Sequence, residues 1–122
     1  SMFLRRSTSQ ILETNVSAVH IAAFNHDTET LEFLKSKGLD FSVRTGRGET
    51  ALFFALHDSA ILSLQEERLV AAEYRESQEK RKTTIDYLHG AYDLSSVNSE
   101  GRTVSDLCLL ESLWEELAIL SK

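Results

Sequence analysis

Two adjacent histidine–aspartate pairs, His26-Asp27 and His57-Asp58, are the residues of this 122-residue sequence best placed to do chemistry. Paired His and Asp side chains hold divalent ions in metal-dependent phosphohydrolases, where the ion activates a water. Such a centre needs further ligands at metal-site spacing, and none follow either pair. Cys108 is the one thiol. No histidine pairs with it legibly, so it reads as a small core residue rather than a nucleophile. A glycine loop able to cradle phosphate is also missing. Arg5-Arg6 ahead of Ser7-Thr8-Ser9 would suit a basophilic kinase, but a plain solvated segment accounts for the same residues. The expectation is a chain with no catalytic residue, no metal and no cofactor, which argues against a stand-alone enzyme.

Composition narrows the partners. Apolar content of 42% and charged content of 26% are ordinary for a globular chain large enough for one modest core. The net charge of −6 is uneven. Residues 1–64 carry 7 acidic and 6 basic groups, residues 65–83 carry 5 of each, and residues 84–122 carry 7 against 2. That acidic end repels phosphate backbones, and no Lys/Arg stripe interleaves with aromatics, so nucleic acid is excluded as the expected partner. No apolar run approaches the ~18 residues a membrane helix needs, and no secretory signal is visible. One cysteine rules out an internal disulfide framework and fits a reducing compartment. An intracellular setting is expected, cytoplasmic in preference to nuclear. Ser1-Met2 reads as an expression remnant, so the expectation is a monomer or a piece of a larger chain.

The elements that would position these residues come from an internal repeat. Ser17-Ala18-Val19-His20-Ile21-Ala22-Ala23 returns as Thr50-Ala51-Leu52-Phe53-Phe54-Ala55-Leu56, and 50 − 17 is 33. Between them lie Leu31, Leu34, Gly38-Leu39-Asp40-Phe41-Ser42 and Gly48-Glu49-Thr50. A 33-residue period with this opening, followed by a second helix, a Gly-x-Asp turn and Gly-x-Thr, resembles the ankyrin repeat. Each slot has a physical reason. Ser or Thr can cap the first helix, the paired Ala let helices approach closely, and Gly38 ends the second helix where positive φ is favoured. The resemblance implies that His20 bonds across to loop backbone as a structural residue. Ala18 and Ala51 stand where the family has proline. Phe53 stands where it has histidine, which removes that polar tie from the second unit.

Taken in order, residues 1–16 read as an N-terminal cap or worn repeat and residues 17–49 as one full unit. Its inner helix is expected from Ser17 to about Asn25 and its outer helix over about Thr28 to Ser36. Residues 50–102 read as a second unit whose inner helix runs from Thr50 to about Asp58. The next Gly-x-Thr is Gly101-Arg102-Thr103, 53 residues after Thr50, or 20 more than the period. An insertion therefore lies at about 59–84, rich in good helix formers. It predicts an outer helix lengthened to about Ser63–Leu88, roughly 40 Å at ~1.5 Å per residue. Glu66, Glu67, Arg68 and the charged run Glu73–Lys82 are expected in solvent, either as a platform for a partner or as a tolerated elaboration. Residues 103–122 read as a C-terminal capping repeat. There Leu110, Leu113, Trp114, Leu117 and Leu120 form one apolar face, Trp114 in cap packing. Glu111, Glu115 and Glu116 form the outer side.

The fold expected is all-α: an ankyrin-repeat solenoid of helix–turn–helix units, about three repeats, with one elongated or inserted helix. The resemblance implies a protein–protein interaction module that binds a protein partner through its concave inner-helix face and turn tips. Carried over residue by residue, that surface is Ile21, Phe24, Asn25, Arg44, Arg47, Phe54, His57 and Asp58, then Glu100 and Arg102. Phe24 and Phe54 are the expected anchors. The alternative is a regulatory or targeting segment of a larger enzyme, channel, ligase adaptor or effector, docking within its own chain. The two His-Asp pairs do not coincide in the repeat, since His26 maps to Ser59 and His57 to Phe24.

Overall fold

Helix ends written in the sequence set the architecture. The computed structural model describes residues 15–56 and 71–122, and among them all regular structure is helical. Helix α1 spans Ala18–Phe24, α2 Thr28–Ser36, α3 Ala51–Ala55 and α4 Ala71–Leu88. A 3-10 turn, His89–Ala91, then leads to α5, Val104–Leu110, and α6, Trp114–Leu120.

Ser17 and Thr103 start α1 and α5 with reciprocal capping boxes, each side chain facing the backbone three residues on. Thr50, expected to cap α3 in the same way, makes no side-chain cap bond. The reciprocal half of the box depends on the third helical residue. It is His20 in α1 and Asp106 in α5, both able to accept the cap N–H, but Phe53 in α3.

Helices α1, α2 and α5 close with one device. The N–H groups of His26 and Asp27 reach back to the carbonyls of Ala23 and Ala22, those of Gly38 and Leu39 to Lys35 and Leu34, and those of Ser112 and Leu113 to Leu109 and Cys108. This Schellman pattern places its pivot in the left-handed region. Gly38 (φ 77°) does so without penalty, whereas His26 (φ 54°) and Ser112 (φ 57°) do so against their side chains.

The core forms where inner helices meet. α1 packs on α2 and α3, α3 on α4, and α4 carries α6. Ala23, Ala51 and Ala55 are wholly buried, and the absence of bulk beyond Cβ lets these helices approach. Phe53, Leu52, Leu31, Ile85 and Leu88 fill the space between layers, each contributing about 1.5–3 kcal/mol.

The C-terminal segment departs from a single apolar-faced helix. Ser112 breaks it into α5 and α6, which places Leu110 on α5. Leu120 is buried and Leu113 and Leu117 pack against the core, but Trp114 is 60% exposed rather than packed in the cap. Glu116, expected outside, is buried.

The elongated outer helix has 18 residues against 9 in α2, about 27 Å at 1.5 Å per residue. An earlier start, at Ser63, lies outside the described residues, as do Glu66, Glu67 and Arg68. The charged run does not stay in solvent throughout, because Ser77 and Arg81 are buried. Arg81 Nε donates to Glu116 Oε2 at 2.8 Å, with both side chains almost fully covered. Beside it Lys82 pairs with Glu115 and Glu79, and Lys122 reaches Asp86 at 3.1 Å. Hydrogen bonds to both glutamates raise the Lys82 pKa above the ordinary lysine value, and Lys82 in turn lowers that of Glu115. Helix α6 is therefore held to α4 by charge as well as by leucines.

Candidate functional site

The connecting turns are built twice from matching residues. Asp40 Oδ1 accepts from the N–H and hydroxyl of Ser42, and Asp93 Oδ1 from those of Ser95. These bonds hold both carboxyls below the usual aspartate range, Asp93 with a smaller contribution from Arg44. Further along, the N–H of Thr45 donates to the carbonyl of Glu49, and that of Gly48 to Thr45. The N–H of Asn98 donates to Arg102, and that of Gly101 to Asn98. The polar side chain inside each loop completes it. Thr45 Oγ1 accepts from the N–H groups of Arg47 and Glu49, and Asn98 Oδ1 from those of Glu100 and Arg102.

The two tips are joined to each other. The N–H of Ser99 donates to the Arg47 carbonyl at 2.7 Å, and Asn98 Nδ2 donates to Glu49 Oε2 at 3.1 Å. Gly48 (φ 74°) lies where the two tips approach, facing the Asn98 backbone. At the base, His20 Nε2 donates to the Glu49 carbonyl at 2.9 Å. The Ser17 N–H donates to His20 Nδ1 at 3.1 Å, so the ring is the neutral Nε2–H tautomer. Burial lowers the His20 pKa, opposed by its contacts with Glu49. The expected cross-loop histidine is thus found at His20, fixing the start of α1 to the root of the first tip.

Of the sequence-derived surface, Ile21 is 41% exposed on α1, Asn25 is exposed at its end, and Phe24 is partly buried against the core. Arg44 and Arg47 are exposed on the first tip, with Glu100 and Arg102 on the second. Phe54 is different: only 5% exposed, with its ring edge-on to His20 at 4.9 Å between centroids. The fold uses that ring internally, and an anchor at Phe54 needs correcting to a packing residue. His57 and Asp58 lie outside the described residues.

His26 also has a structural task. Its Nε2 donates to the Ala55 carbonyl at 2.9 Å, tying the end of α1 to the end of α3. Among the described residues no three His, Cys, Asp or Glu side chains gather as a metal site, and no helix is long and apolar enough to cross a membrane. Cys108 is fully buried, and desolvation together with nearby Glu116 pushes its thiol up to about 11. Sequence reasoning missed the tip-to-tip contact. Its signal was available in Asp40-Phe41-Ser42 and Asp93-Leu94-Ser95, which repeat at the same 53-residue offset as Thr50 and Thr103.

Short helix–turn–helix units stacked through small-residue inner helices, with their turn tips joined edge to edge, define a helical-repeat solenoid. Residues 17–60 match a family model described as ankyrin repeats (many copies), and that segment belongs to the ankyrin-repeat family. No curated protein matches the chain in sequence. Ankyrin repeats are generally protein–protein interaction modules and typically non-catalytic.

Proposed function

We propose that this chain binds a protein partner across its inner-helix face and turn tips, with Ile21 and Asn25 contacting one side and Arg44 and Arg47 orienting the other. The observation supporting this is the joined pair of tips. Backbone and Asn98 bonds hold the loops that carry Arg44, Arg47 and Arg102, so these arginines are presented from ordered backbone. Pre-ordering lowers the entropy lost on association, and arginine is enriched in binding hot spots. Partly buried Phe24 adds apolar surface at the end of α1. The work is that of an adaptor or scaffold rather than an enzyme, in a cytoplasmic setting.

The test is an affinity capture from cell lysate comparing wild type with Ile21→Asp/Arg44→Glu/Arg47→Glu, after circular dichroism shows that the variant is folded. A protein kept by wild type and lost by the variant supports the reading. Equal retention moves the contact elsewhere. If neither retains a partner, docking within a longer parent chain takes its place.

A further inference from the structure

We propose that the end of the stack formed by Leu109, Leu110 and Trp114 is a second docking surface, and that it takes a basic amphipathic helix. These side chains are 52%, 57% and 60% exposed. They lie at one end because Leu110 closes α5, Trp114 opens α6, and the tight turn through Ser112 joins them.

Their exposure is unusual for the register. Leu109 stands six residues after its cap Thr103, as Ala23 stands after Ser17 and Leu56 after Thr50. Ala23 and Leu56 are 0% and 8% exposed. The position that earlier units bury is thus open on α5 and carries a leucine. Trp114 is not needed to seat α6, which already has Leu117 and Leu120 against the core.

Charge selects the occupant. Residues 104–122 hold four acids and one base. Glu116 turns inward to Arg81, and Lys122 is engaged with Asp86. The exposed acids near the apolar side chains are Asp106, Glu111 and Glu115, the last paired with Lys82. A second copy would set these acids against themselves, and like-charge juxtaposition disfavours association. A helix with leucine-type side chains on one face and Lys or Arg beside them satisfies both the apolar and the acidic features. Leu110 and Glu111 stand in register with Phe24 and Asn25, so this surface borders the third unit's share of the inner-helix face, and Leu109 and Trp114 carry it onto the end of the stack.

Trp114 is the sole tryptophan, so it reports on the site directly. The probe is a synthetic peptide of Leu and Lys at helical spacing, titrated while following tryptophan emission and acrylamide quenching. The control carries Glu for Lys. The expected result is a blue shift and reduced quenching with the Lys peptide, weakened by salt. The variant Leu109→Ser/Leu110→Ser should lose about tenfold or more in affinity, and Glu111→Lys, which leaves the apolar residues intact, about threefold. Phe33→Ser, removing an exposed aromatic on α2, should bind unchanged. No response, an equal response to the Glu peptide, or undiminished binding by both site variants would overturn the proposal. So would a blue shift that grows with protein concentration alone, which assigns the surface to a second copy.

Discussion

Breaking the Arg81–Glu116 pair should cost far more than its place on a charged helix suggests. The two side chains are 4% and 5% exposed and meet at 2.8 Å. Removing either partner by Arg81→Met or Glu116→Leu leaves the other charge buried, a loss of about 3–5 kcal/mol. With a urea dependence of roughly 2 kcal/mol/M, the unfolding midpoint should fall by about 2 M. The double variant replaces both charges with apolar volume and should recover most of that loss, giving a coupling energy of about 2 kcal/mol or more. Urea unfolding followed by circular dichroism at 222 nm measures all four proteins. Lys82→Met at the neighbouring exposed pair is the internal control and should shift the midpoint much less. Single-variant losses below about 1 kcal/mol, the range of exposed pairs, or strict additivity in the double variant would show that water reaches this pair and that leucines alone hold α6.

Other consequences follow from single side chains. Ser112→Gly should stabilise by up to about 1 kcal/mol, because glycine relieves the left-handed strain at φ 57°. His26→Gly, at nearly the same φ, should destabilise because the bond to the Ala55 carbonyl is lost; paired thermal melts compare the signs. Burial lowers the folded-state pKa of His20, so below about pH 6.5 the unfolded chain binds this proton first and stability falls as pH drops. Urea midpoints at pH 7.5 and 5.5 should therefore differ more in wild type than in His20→Leu, and equal slopes would remove His20 from the account. Cys108, with its thiol pushed up to about 11 and fully buried, should resist iodoacetamide at pH 8 until urea unfolds the chain. Rapid native labelling would show that the α5 core opens readily.

The sequence made some elements legible and left others hidden, for physical reasons. Leu31 and Leu34 with Gly38 marked α2, since periodicity and a stop signal are both local. The tie from His20 to Glu49 was implied by the family resemblance and depends on only two residues. Phe54 was misread because its repeat position is shared with exposed Ile21, while its own ring lies in the core, edge-on to His20. Glu116 was misread for a related cause. Its spacing to Leu113 and Leu120 puts it on the apolar side of α6, but its charge argued for solvent, and the partner that accompanies it inside, Arg81, lies 35 residues earlier. Local patterns carry capping, turns and helix faces; they do not carry a charge pair between distant helices.

Arg81 also shows what the longer outer helix does. Aligning Ile85 with Leu31 and Leu88 with Leu34 places Arg81 opposite Asp27, the N-cap of α2. A helix of ordinary length would begin at Arg81, with unpaired N–H groups around it and no backbone turn ahead to hold the side chain. Extension to Ala71 puts the same residue inside a helix, where backbone N–H groups are paired and a long cation can be aimed at the next layer. The turn tips keep their contact despite 20 additional residues, since the surplus lies between α3 and the aligned part of α4 and the tips lie beyond its other end. The added chain thus leaves the inner face and tips in register while giving α6 a partner for a buried carboxylate. Shortening α4 to begin at Arg81 should therefore loosen α6 and leave the α1–α3 contact intact. Amide hydrogen exchange would show this as faster exchange in 114–120 with 18–24 unchanged, whereas uniform acceleration would mean that the stack unfolds as one unit.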